Sequence, residues 1–222
     1  MKKIALLIIL GFGILTSTKA QSVFLDQYQN GVGVIGGFST NKDATGFSGS
    51  FGYSFSGVFD LGLSVGRFGS KELLLGEKSN TTVISPFISY LIVKQNEQTP
   101  VSFSLNASYQ REIFSNKLLS DNNWDMNANL FTIGASLSSM FYVSESMKIM
   151  PSIGFRYFTG ELKLEGLFVS ETESISSTVF TIGLPLVFQT SQNNTFVATP
   201  SLGLGENNTT FGLSLGFIFP QN

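Results

Sequence analysis

From Thr209 to Phe219 the chain alternates with period two. Phe211, Leu213, Leu215, Phe217 and Phe219 share one face, and Thr210, Gly212, Ser214 and Gly216 make most of the other. Successive side chains of a β-strand point to opposite faces, so this pattern predicts a strand. The same alternation predicts ten strands, near residues 30–39, 46–56, 58–68, 81–94, 100–112, 127–143, 148–160, 174–189, 195–204 and 209–219. In the second, Phe47, Phe51, Tyr53 and Phe55 oppose Ser48, Ser50, Gly52 and Ser54. In the fifth, Val101, Phe103, Leu105, Ala107 and Tyr109 oppose Ser102, Ser104, Asn106 and Ser108. The polar faces carry Ser, Gly and Thr, with almost no Lys or Glu at mid-strand. A sheet in water normally has a charged wet face. These strands therefore fit hydrocarbon on the bulky side and a confined interior on the small polar side. Period two does not by itself say which face points inward.

The connections alternate in length. Ser56-Gly57, Gln95–Thr99, Ser144–Met147 and Thr190–Asn194 are short, while Gly69–Asn80, Ile113–Met126 and Glu161–Glu173 are longer and polar. Transmembrane barrels have short turns on one side, longer loops on the other and an even strand number. The expected fold is therefore an all-β, closed, antiparallel, up-and-down transmembrane β-barrel of about ten strands over residues 21–222. Eight strands, with the first segments outside the wall, is the alternative. Aromatics gather beside the short turns: Phe55, Phe59, Tyr90, Phe103, Phe141, Tyr142, Phe188, Phe196 and Phe219 form an expected girdle at a lipid–water boundary. Phe47, Phe68, Tyr109, Tyr157 and Phe211 form a second ring near the long loops. Pro86, Pro151, Pro185 and Pro200 fall inside predicted strands. Proline donates nothing to a ladder, so these positions predict bulges or gaps.

Composition narrows the class. Charged residues are 13% of the chain, against about 25% in ordinary soluble domains. Lys2 and Lys3, the apolar run Ile4 to Leu15, and Thr18 and Ala20 at small-residue positions read as a secretory signal peptide over residues 1–20, cut after Ala20. That cut removes Lys2, Lys3 and Lys19, which leaves ten basic against fifteen acidic residues and a net charge of −5. No nucleic-acid partner is expected. The chain has no Cys and no His, so thiolate and imidazole metal sites and His-dependent catalysis are not expected. No enzyme activity and no cofactor are expected.

The signal peptide, the Gly- and Phe-rich alternating strands and the last strand, Thr210-Phe-Gly-Leu-Ser-Leu-Gly-Phe-Ile-Phe219, together resemble the small outer-membrane β-barrel family, often called porin-like. Gln21 after the expected cut is similar to members from Bacteroidota-type bacteria. The resemblance implies the outer membrane of a Gram-negative bacterium, contact with outer-membrane lipid, and assembly by the barrel assembly machinery through a C-terminal signal at Phe217 and Phe219. Pro220, Gln221 and Asn222 follow that signal. The resemblance implies no single activity.

The readings left open are a narrow solute pore and a barrel that presents loops to a small solute or a protein partner. A component of a secretion or assembly complex and a soluble secreted barrel carrying a hydrophobic ligand are the further alternatives. Asp26, Asp43 and Asp60 lack calcium-loop spacing. The candidate lumen charges are Arg156, in phase with Ser152 and Gly154, and Glu112, in phase with Asn106, Ser108 and Gln110. They are expected to pair across the lumen, or each to reach water at its mouth. Arg67 and Arg111 fall on the outer face near strand ends. Trp124, in Ser120-Asp-Asn-Asn-Trp-Asp125, is read as a boundary anchor or a ligand contact.

Overall fold

A computed structural model describes residues 21–25, 28–74, 77–166, 169–190, 194–206 and 208–221. The expected signal peptide lies outside the described residues, as do Asp26 and Asn207. Among the described residues, thirteen strand segments form one antiparallel sheet. They are β1 (Asn30–Thr40), β2 (Ala44–Phe55), β3 (Phe59–Leu74), β4 (Glu77–Val93), β5 (Ser102–Ser115), β6 (Asp125–Ser138), β7 (Phe141–Tyr142), β8 (Met147–Ile149), β9 (Ser152–Gly166), β10 (Val169–Gly183), β11 (Leu186–Gln189), β12 (Thr195–Gly205) and β13 (Thr209–Gln221). A short helix, α1 (Lys117–Asp121), joins β5 to β6. β1 pairs with both β2 and β13, and β12 pairs with both β10 and β13, so the sheet closes on itself. β6 with β7, β8 with β9, and β10 with β11 each make one wall strand, which gives a closed barrel of ten. The eight-strand alternative is thereby excluded, since the first two predicted strands are in the wall.

The prolines explain the fragmentation. Pro86 pairs with Leu63 on the β3 side, but the β5 ladder lapses between Ile84–Arg111 and Phe87–Ser108. Pro151 separates β8 from β9, and Pro185 separates β10 from β11. Pro200 lies between the part of β12 paired to β11 and the part paired to β10. Their carbonyls still accept: Ser139 N donates to Pro151 O at 3.1 Å, Met150 N to Pro185 O at 2.9 Å and Leu184 N to Pro200 O at 3.0 Å. Three of the four gaps thus lie on three adjacent wall strands. At the other style of connection, Ser56 and Gly57 both have positive φ, and Val58 N closes on Phe55 O at 3.0 Å. Such a turn matches the twist of the strands it joins.

The bulky face points outward. Phe211, Leu213 and Leu184 are 63%, 49% and 44% exposed, so a carrier with these residues at its centre is not what folds. The long polar loops expected at 69–80 and 161–173 are mostly strand: β3 and β4 run on to Leu74 and from Glu77, and β9 and β10 run to Gly166 and from Val169. In these extensions the polarity inverts. On β9, Ile153, Phe155 and Tyr157 face out below, while Glu161 and Glu165 face out above and Phe158 and Leu162 face in. On β6, Leu137, Ile133 and Phe131 face out below, and Leu130, Ala128 and Met126 are buried inside above. The switch occurs at one level around this half of the wall. Registers join Arg67 to Thr82, Thr82 to Ile113, Arg111 to Asn129, Asn129 to Glu161 and Glu161 to Ser174. In water, apolar burial stabilises by about 1.5–3 kcal/mol per large side chain and drives those groups inward. In hydrocarbon that drive vanishes, and polar groups must turn inward instead.

Candidate functional site: a lumen filled at both ends

Above the switch the interior is an apolar core. Phe68, Val83, Phe114, Met126, Ala128, Leu130, Leu162 and Ile175 pack with Leu119 of α1, and Trp124 and Leu164 cover them. α1 is held by Asn116, whose side chain accepts from Leu119 N at 2.8 Å as an N-cap. Two expectations are corrected here. Phe68 belongs to this core and not to an outer ring, because its ring lies over the bare Gly46 and Gly66. Trp124 is no boundary anchor. It folds inward until a Cβ on Gly166 would lie 2.3 Å from its Cδ1. Beside the core, Asn208 Nδ2 donates to Asp43 Oδ2 at 2.9 Å, and both residues are buried.

The short-turn end is filled by the N-terminal segment. Gln21–Phe24 make one turn of 3-10 helix inside the mouth. Ser22 N donates to Asp60 Oδ1 at 3.1 Å and Oδ2 at 3.3 Å, and Ser22 Oγ donates to Oδ2 at 3.1 Å. Ser22 and Asp60 are both inaccessible to solvent. Leu25 packs with Val187, Val197 and Ile218, with Phe24 at their edge. Lys94 Nζ donates to Leu25 O. No alternation marks residues 21–25, and only the apolar run Val23-Phe24-Leu25 hints at burial.

Between these fillings the inner face is polar. Ser104 and Ser136 share a hydrogen bond of 2.7 Å across β5 and β6. A cavity of about 70 Å³ is lined by Ser104, Asn106, Ser136, Arg156 and Thr181, with Val23 of the N-terminal turn on its border. At ~10–15 Å³ per water centre this space holds a few waters.

Arg156 and Glu112 both face inward, as their phase requires. They sit at different heights. Glu112 pairs with Ala128 and Ala128 with Leu162, whereas Arg156 pairs with Gly134 and Val179. Six residues of β9 separate the two registers, about 20 Å along the strand at ~3.3 Å per residue. The expected ion pair is therefore replaced by a local contact: Gln110 Nε2 donates to Glu112 Oε1. Glu112 is fully buried at the level of the apolar core, and its Oε2 has no hydrogen-bond partner among the described residues. Arg67 and Arg111 mark the level of the switch.

The short-turn aromatics lie on the outer wall and touch in runs. Ring centroids are 6.0 Å apart for Phe188 and Phe196, 5.0 Å for Phe196 and Phe217, 6.4 Å for Phe217 and Phe219, and 6.0 Å for Phe55 and Phe59. Phe59 is in register with Tyr90, and Val93 with Phe103. Phe141 and Tyr142 are exposed, and Lys148 Nζ stands 4.9 Å from the Tyr142 ring centre. β13 continues past Phe219 to Gln221.

No described protein family and no curated protein matches the chain. Solved structures do. The translocator domain of the autotransporter NalP from Neisseria meningitidis superposes with a TM-score of 0.58 at 12% identity, covering 90% of this chain and 91% of that one. The fold is that of the outer-membrane β-barrels. Ail, the attachment invasion locus protein of Yersinia pestis, matches with a TM-score of 0.45 at 13% identity over 88% of this chain and all of its own. The outer membrane protease OmpT from Escherichia coli matches with a TM-score of 0.44 at 7% identity over 87% and 97%. At such identities the likeness concerns the fold and carries no activity with it.

Proposed function

We propose that the protein is a non-enzymatic barrel of the Gram-negative outer membrane that acts through the hairpins it raises beyond the bilayer, with its lumen shut at rest. One observation carries this reading: the wall is apolar outside over one zone and apolar inside above it. Phe211 to Phe219 gives a strand long enough to cross a bilayer, which takes about 9–11 residues. Above that zone the extensions of β3, β4 and β9 present Lys71, Lys78, Glu161, Lys163 and Glu165 to water around a packed core. A packed core at that end favours presentation of a surface over constitutive passage of solutes. The absence of His from the chain supports a non-enzymatic role. In this reading the short-turn aromatics meet the inner boundary of the lipid, and Phe217 and Phe219 serve recognition by the assembly machinery.

Fractionation with surface labelling tests the proposal. The protein should pellet with outer membrane, need detergent for release and react with an impermeant amine reagent at Lys163. Detergent-purified protein should give no steady conductance in planar bilayers. Release without detergent would contradict membrane residence, and stable open steps in the wild type would contradict the shut lumen.

A further inference from the structure

We infer that residues 22–25 are a displaceable plug, held in cis, whose departure opens the Arg156 cavity to the short-turn side. The segment occupies the mouth without joining the wall. Among the described residues, no backbone–backbone hydrogen bond links 21–25 to any strand. Beside the bond that Lys94 Nζ gives the Leu25 carbonyl, two anchors of separate kinds hold it. One is the Asp60 carboxylate on β3, whose two oxygens accept from the N and Oγ of Ser22. The other is the apolar socket of Val187, Val197 and Ile218 that takes Leu25. The socket reaches β1, where Gly31 leaves room that a Cβ would fill, 2.8 Å from Leu25 Cδ1.

Two features make the segment a plug and not a structural strut. The ladder of the wall closes without it, because β1 and β13 pair along the whole of β1. And Val23, between the two anchors, borders the polar cavity that contains Arg156, Ser136 and Thr181. Removing the turn therefore removes a boundary of that cavity. The far end stays shut, since the core around Ala128 shares no residue with the plug.

The chain has no Cys, so a single introduced thiol reports access cleanly. Ser136→Cys places it in the cavity and Ala128→Cys in the far core. Full-length processed protein in detergent is treated with a small anionic methanethiosulfonate, alone and with Asp60→Ala or Leu25→Ser. The thiol at 136 should react slowly in the parent. It should react roughly tenfold faster or more with either plug variant, as expected from losing the hydrogen bonds of Ser22 to Asp60 or one buried apolar side chain. The thiol at 128 should stay protected throughout. Leu25→Ser lies outside the wall, so it remains informative where Asp60→Ala does not fold. Equal rates at 136 in parent and Leu25→Ser would overturn the inference. So would a thiol at 128 that opens together with the one at 136, because that reports loss of the whole barrel.

Discussion

Phe155 and Glu161 leave the same face of β9, six residues apart, and both are exposed. No single medium suits both. Hydrocarbon around Phe155 and water around Glu161 satisfy each, and the inner neighbours agree: Gly154 and Arg156 line a polar interior while Phe158 and Leu162 sit in an apolar one.

A charge on the outer face should therefore cost according to height. Leu213→Arg should destabilise the barrel by about 2–4 kcal/mol. Ser174→Arg, outward on β10 and in register with Glu161, should stay within about 0.5 kcal/mol. Urea titration of protein folded into vesicles measures both. Equal costs would remove the boundary from this level.

Two glycines of β2 should answer differently to alanine. A Cβ on Gly46 would lie 2.2 Å from Phe68 Cδ1 and 2.3 Å from the Arg67 carbonyl oxygen, whereas one on Gly49 meets nothing within 4 Å. Backbone cannot move aside as a flexible side-chain tip can. Gly46→Ala should cost about 1–3 kcal/mol. Gly49→Ala should be neutral, or stabilise by up to about 1 kcal/mol through the unfolded chain.

Trp124 is the one tryptophan of the chain, and it lies against the upper core. Leu162→Ala should destabilise by about 2–5 kcal/mol. The same variant should shift Trp124 emission to the red and raise its quenching by acrylamide. A stable variant with unchanged emission would show that the core does not organise this end.

The ten wall strands were legible because period two is a constraint of the backbone and holds whichever medium lies outside. Pro86, Pro151, Pro185 and Pro200 likewise announced the ladder gaps through their missing N–H. The extensions were harder to read because their apolar face changes sides. Glu161, Lys163 and Glu165 looked like a solvated loop, although Leu162 and Leu164 alternate with them in the same period. Arg156 and Glu112 show a different limit. Phase assigns a side chain to the lumen, but only register assigns its height. The contact of Ser22 with Asp60 spans 38 residues between a segment without periodicity and a strand, so no local pattern carries it.

The orientation of the wall is tested most directly by nitroxide labels at Leu213→Cys and Ser214→Cys in reconstituted vesicles, read by collision with oxygen and with a water-soluble nickel complex. The label at 213 should meet oxygen freely and be shielded from nickel, and the label at 214 should be shielded from the oxygen-rich hydrocarbon. Nickel access at 213, or the reverse pattern between these neighbours, would contradict a barrel that turns its bulky face to lipid.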